Sequence, residues 1–266
     1  MKSIARSLQA AGAIGDPITV PWPKLNQAVQ LHTKELAIVA GAPGAGKSVF
    51  ALNLAMSLRE PALYLAYDSA PSIILRSAAL LLNEPIAQVR DEMNAGNREK
   101  VIVRMGGISD NLLINSTPTG LEGISNRLEA LTELLGKAPK VTIIDNVKNV
   151  RSERSASEVG FYDEVLPGLR EIAEKHNTCM IALHHVTRRD GAGGDAHGLG
   201  TKALKMTDLK YSGEHDSEHV LGLFHNHGMD RMFVQVLKQR DGEADPEGQL
   251  RVPLIWHPAW GRLDRI

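Results

Sequence analysis

One stretch of this chain constrains its fold more than any other. Gly41, Ala42, Pro43, Gly44, Ala45, Gly46, Lys47 and Ser48, followed by Val49, fit the pattern G-x-x-x-x-G-K-[ST] at every fixed position. The apolar run Leu36–Ala40 leads into it, and the amphipathic run Lys47–Leu58 leads out. A strand, a tight glycine-rich turn and a helix are therefore expected in succession. Such a turn lets backbone N–H groups face inward around phosphate oxygens, and the helix N-terminus adds partial positive charge. In that geometry Lys47 reaches the β- and γ-phosphates of a nucleotide such as ATP, and the Ser48 hydroxyl ligates Mg²⁺.

The rest of the chain repeats the same alternation. Strands are expected at Leu36–Ala40, Ala62–Tyr67, Leu112–Ile114, Val141–Ile144 and Thr178–Leu183. Helices are expected at Lys47–Leu58, Pro71–Leu82, Leu121–Leu135 and Tyr162–His176. Short uninterrupted apolar strands between amphipathic helices indicate an α/β fold, a mostly parallel twisted sheet covered on both faces. Beyond residue 217 the pattern changes. Glu218–Phe224, Arg231–Lys238 and Leu250–Ile255 read as strands joined by Gly-rich turns, so a meander should extend one edge as a C-terminal antiparallel extension. Residues 17–266 read as one domain, and residues 1–16 as an amino-terminal arm with Ile4, Leu8 and Ala11 at helical spacing.

Composition narrows the class. A net charge of −1 over 266 residues excludes a wholesale basic coat, so any polyanion must meet a local patch. The single cysteine, Cys179, excludes an internal disulfide and lies in an apolar run, where a buried thiol is expected. No stretch approaches the roughly 18 apolar residues of a membrane span, and no signal-peptide pattern opens the chain. It reads as a soluble, cytoplasmic protein without a membrane partner. The pairs His184-His185, His215-x-x-x-His219 and His225-x-His227 lack a matched fourth ligand and read as polar surface or interface residues.

A phosphate loop needs an acid to hold the metal's water shell. Asp145, at the tip of Val141–Ile144, stands where such an acid belongs; a helix N-cap is the competing reading. Asp68, just after Ala62–Tyr67, falls at the same sheet edge and is the candidate for polarising an attacking water; a simple turn residue is the alternative.

Taken together, these residues resemble the motor domain of DnaB-type replicative helicases, from about Trp22 to the end. Residues 36–55 look like that family's first motif and following helix, and Val141–Asp145 is similar to its Walker B strand. Tyr64-Leu-Ala-Tyr-Asp68-Ser69 sits where the family has Ser-Leu-Glu-Met, so Asp68 takes the catalytic glutamate position as a shorter acid. Ala182-Leu-His-His185 falls at Ala-Leu-Ser-Gln, so His185 replaces a γ-phosphate-sensing glutamine with a group expected to titrate near neutral pH. Lys238-Gln-Arg240-Asp-Gly242 resembles Lys-x-Arg-Asn-Gly, whose basic residues act on a neighbouring subunit's nucleotide; a surface ion pair is the plainer role for Arg240. Asp208-Leu-Lys-Tyr-Ser-Gly213 resembles the segment after the family's DNA-binding loop. The family's primase-binding amino-terminal domain has no counterpart in this sequence.

The resemblance implies a RecA-like P-loop core, hydrolysis of ATP with Mg²⁺ at subunit interfaces of a ring, a hexamer in the family, and a grip on single-stranded DNA in the channel. Two loops would face that channel. Asn146–Ser157 carries Lys148, Arg151 and Arg154, and Val186–Asp208 carries Arg188, Arg189, Lys202 and Lys205. Ordinary solvated loops would show the same charges. A filament-forming recombination ATPase of the RecA or RadA type remains an alternative, as does a weakly hydrolysing regulatory scaffold.

Overall fold

The computed structural model describes residues 15–106, 111–152, 157–186, 200–209, 213–226 and 228–266. The amino-terminal arm, Arg154, Arg188, Arg189 and His227 lie outside them. Strand β3 (Leu36–Gly41) is buried along its whole length and runs through the middle of a nine-stranded sheet. Both its faces are covered, which is why its sequence is apolar without alternation. Ala37 and Val39 point into one core cluster, while Ile38 and Ala40 point into the other.

On the first face, α2 (Lys47–Ser57) buries Phe50 and Leu54 in the same cluster as Ile143 and Ile181. On the second, α6 (Leu121–Leu135) and α7 (Glu158–His176) bury Ile124, Leu128, Val165 and Leu169. Helix α7 begins at Ser157, whose hydroxyl accepts the Gly160 N–H at 3.1 Å. It ends at Asn177, in a left-handed conformation with φ 50°, an asparagine-tolerant stop.

Parallel strands β4 (Ala62–Ala66), β5 (Leu112–Asn115), β6 (Val141–Asp145) and β7 (Cys179–His185) lie to one side of β3, in the order β3-β7-β6-β4-β5. On the other side β8 (His219–Asn226) pairs parallel with β3. Then β9 (Arg231–Gln239), β10 (Arg251–His257) and β11 (Arg262–Asp264) add antiparallel strands, as the meander reading expected. A small antiparallel pair, β1 (Pro17–Ile18) with β2 (Leu31–His32), flanks the short helix α1 (Pro23–Ala28). Trp22 stacks on Phe50 with centroids 5.1 Å apart, and its indole N–H donates to the Leu263 carbonyl at 3.1 Å. One aromatic thus joins the start of the described chain, helix α2 and the last strand.

Cys179 is fully buried, as its apolar run implied. Helix α3 (Ala70–Leu82) follows β4, and two helices not anticipated from the sequence come next: α4 (Ile86–Asn94) and α5 (Arg98–Met105). The surface reading of the histidines is corrected. His184, His219 and His225 are 2%, 3% and 2% exposed, because each sits on a strand whose faces are both covered. His215 is exposed in the single-turn helix α8 (Gly213–Asp216), while His219 begins β8, so the two share no helical face.

Candidate functional site

Four neighbouring parallel strands end in one row, and the row holds most of the candidate chemistry. Gly41 closes β3 opposite His185 of β7, while Asp145 of β6 stands opposite Ala66 of β4. Asp68 lies in the turn after β4, exposed, with its N–H donating to the Asp145 carbonyl at 2.9 Å. The C-terminal edge of a parallel sheet is where α/β folds place ligands.

The glycine-rich turn occupies residues 42–46 between β3 and α2. Gly44 and Gly46 adopt φ of 82° and 90°, conformations costly for residues with a Cβ. At Gly46 a Cβ would also fall 2.3 Å from the Met232 methyl of β9. Lys47 lies over the turn, only 6% exposed, its ammonium donating to the Gly41 and Ala42 carbonyls at 2.8 and 3.0 Å. Its third close partner is the His185 Nδ1, at 3.1 Å.

That contact requires Nδ1 to be a neutral acceptor. Burial, and then Lys47 and Lys148, push His185 down to about 4. The expectation that His185 titrates near neutral pH is therefore corrected. Burial lowers Lys47 itself to about 8, opposed by Asp145 and Asp68. It remains mainly protonated at neutral pH.

Asp145 is 5% exposed, and burial raises its pKa. Two hydroxyls oppose that shift by donating to the carboxylate, those of Ser48 and Tyr64, the latter at 2.8 Å. The Ser48–Asp145 contact brings together the two groups assigned to Mg²⁺, so the residues present suit a hard cation that prefers oxygen ligands.

Tyr64 is fully buried and was not picked out as a site residue from the sequence. It stands opposite Ile143, so it shares a face with Asp145 two residues on. Only the register between β4 and β6 reveals this. Burial, then Asp145, raises its pKa well above the ordinary value, so it stays a donor.

Lys238 and Arg240 are elsewhere. Strand β9 runs antiparallel to β8, and Gln239 pairs with His219, which stands beside Ala37. These two basic residues therefore sit at the opposite end of β3 from Gly41, about 13 Å away at strand rise. There Lys238 donates to the Ser217 carbonyl at 2.6 Å, and Arg240 lies 3.3 Å from Glu218.

Of the loop cations, Lys148 and Arg151 are exposed just beyond Asp145. Lys148 is close enough to influence both Lys47 and His185. Lys202 is exposed, whereas Lys205 is engaged by Glu247 and Asp208. Gly200 packs against the glycine-rich turn: a Cβ there would lie 3.0 Å from Ala45. Among the described residues, no helix is long and apolar enough to cross a membrane.

Comparisons with known proteins agree with this architecture. The AAA domain family matches residues 11–191. The Gene 65 protein of Mycobacterium phage L5 is 29% identical over 252 residues, spanning 92% of this chain and 91% of that protein. The replicative DNA helicase DnaB of Haemophilus influenzae is 24% identical over 262 residues, covering 89% of this chain but 52% of that protein. The solved structure of a DnaB-like replicative helicase superposes with a TM-score of 0.77 at 16% identity, covering 100% of this chain and 67% of that one. The chain thus belongs to the AAA domain family, and its fold is that of a RecA-like ATPase domain of the DnaB type.

Proposed function

We propose that the chain is an ATP-driven motor of the DnaB-like helicase or translocase type, working as a homo-oligomeric ring on single-stranded DNA. The observation that carries this reading is the convergence of Lys47, Ser48 and Asp145 at the mouth of the glycine-rich turn. In this reading the backbone N–H groups of residues 41–49 and the Lys47 ammonium hold the β- and γ-phosphates. Ser48 and Asp145, the latter through water, hold Mg²⁺, which when bound screens charge on the phosphate oxygens. Tyr64 fixes the Asp145 carboxylate. Asp68 orients the attacking water, and its exposure lets it reach a substrate that enters from the open side of the sheet edge. His185 senses the γ-phosphate through its contact with Lys47.

Lys238 and Arg240 cannot reach the phosphate turn of their own subunit, so in this reading they serve the neighbour's, neutralising charge that develops in the transition state. The arm at residues 1–16 docks on an adjacent subunit. Lys148, Arg151, Arg154, Arg188, Arg189, Lys202 and Lys205 supply the DNA grip. Among these, Lys205 is the weakest member, because Glu247 already engages it.

Steady-state ATP turnover with and without single-stranded DNA tests the proposal. Stimulation by DNA is expected. Turnover indifferent to DNA would favour the regulatory-scaffold reading, to which the short acid Asp68 and the His185–Lys47 contact lend support. Filaments rather than rings by electron microscopy, with ATP and DNA present, would favour the recombination reading.

A further inference from the structure

The far end of β3 carries a charge cluster that the sequence motifs leave unexplained. Two residues immediately before β8, Ser217 and Glu218, are 1% and 3% exposed and receive both basic residues of the Lys238-x-Arg240 pair. The Ser217 carbonyl accepts from Lys238 at 2.6 Å. The Glu218 carboxylate has two tasks. Its Oε2 accepts the Leu36 N–H at 3.0 Å, while the Glu218 N–H donates to the Leu36 carbonyl at 2.9 Å, so Glu218 is clamped to the first residue of β3. Its Oε1 lies 3.3 Å from Arg240 Nη2 and 3.0 Å from Arg170 Nε, the second being an ion contact rather than an aligned hydrogen bond.

We propose that Glu218 is the positioning residue for Arg240, holding its guanidinium at the subunit edge in readiness for a neighbour's phosphate. This rests on the reading that Arg240 acts in trans. Arg240 is 55% exposed on a long side chain, and without an anchor it would sample many rotamers that must be frozen at each encounter. A buried carboxylate fixed to β3 supplies that anchor. Arg170 is also met by Glu174 at 3.7 Å, and the one ion contact from Glu218 leaves most of the Arg240 fork available to a second anion. A cleft of about 570 Å³ opens over the cluster and gives the guanidinium room on its outer side. Arg170 has a supporting part here: its Nε contacts the same Oε1 at 3.0 Å and so helps hold the carboxylate in place.

The competing possibility is that Glu218 only joins β8 to β3. A double-variant cycle separates the two. ATP turnover is measured on the full oligomeric chain for wild type, Glu218→Gln, Arg240→Ala and the double variant, with oligomer size checked by light scattering. Glu218→Gln should lower kcat by up to about 100-fold, as displacement of a catalytic group by about an ångström does, and leave KM for ATP near wild type. The double variant should be no slower than Arg240→Ala alone. Losses that multiply would overturn the proposal, as would wild-type turnover of Glu218→Gln beside a dead Arg240→Ala. Normal turnover of Arg240→Ala itself sinks the trans reading instead, so the two failures are distinct. If Glu218→Gln does not fold, Glu218→Asp, which keeps the charge but retracts it by one methylene, goes through the same cycle with the same outcomes.

Discussion

Single side chains set the chemistry of the phosphate turn. Lys47 is the buried cation in it, and Lys47→Ala should weaken binding of a non-hydrolysable ATP analogue by roughly 100-fold, the cost of leaving a desolvated anion without its partner. Titration calorimetry that shows unchanged affinity would remove Lys47 from the site. Because burial brings this ammonium down to about 8, nucleotide affinity should also decline as pH rises from neutrality through that value. Asp145→Asn keeps the shape but loses the charge, so analogue binding should persist while Mg²⁺-dependent turnover disappears. The two histidines that end β7, one buried and one half-buried, work in the other pH direction. His184 and His185 lie at about 4 in the fold against an ordinary 6.5. The unfolded chain therefore takes up protons first on acidification. Stability present above 6.5 is lost as pH falls toward 4, a decline that thermal unfolding against pH should record and His184→Gln should flatten.

At the scale of elements, what could be read in advance was what burial writes into sequence. Leu121–Leu135 was legible to its end residues, because Ile124 and Leu128 form a helical stripe and Gly136, at φ 68°, stops it. The parallel strands were legible because both their faces are apolar. The helices at 86–94 and 98–105 were not, since each buries a single fully covered residue, Val89 and Val101, and shows no stripe. Strands of two or three residues at 17–18, 31–32 and 262–264 are too short to carry a period. Residue type misled for His184, His219 and His225, where strand position outweighs polarity. In the candidate site, Lys47, Ser48, Asp68 and Asp145 were visible as a motif and as acids at strand ends. The contacts made by Tyr64 and Glu218 depend on register between strands far apart in sequence. Trp22 belongs to this scale too. Trp22→Ala removes the stack on Phe50 and the bond to Leu263, and should cost roughly 3–5 kcal/mol in chemical denaturation.

At the scale of the whole molecule, the proposed motor depends on contacts between copies. Subunits carrying Arg240→Ala and subunits carrying Lys47→Ala should each be inactive alone. Mixed, they form some interfaces in which an intact Lys47 faces an intact Arg240, and part of the ATPase rate should return. No recovery on mixing, with mixed oligomers demonstrated, would refute action in trans. Deleting residues 1–15 should shift the oligomer toward monomer if, as proposed, the arm docks on a neighbour, since a segment of that length is marginal as an isolated helix. Light scattering that shows an unchanged assembly would count against the docking arm.

The placement of the phosphate turn and Arg240 at opposite ends of β3 has an arithmetical consequence. With Arg240 serving a neighbour as proposed, each copy would offer one half of a site at each end, and copies joined head to tail would complete one site per junction. An open row always holds one complete site fewer than it has members, and closing the row recovers the missing one. Specific activity per chain should therefore climb with assembly size, steeply for the smallest assemblies and then less so. A dilution series that follows turnover and mass together would trace this curve, whereas a self-sufficient site would give a flat line.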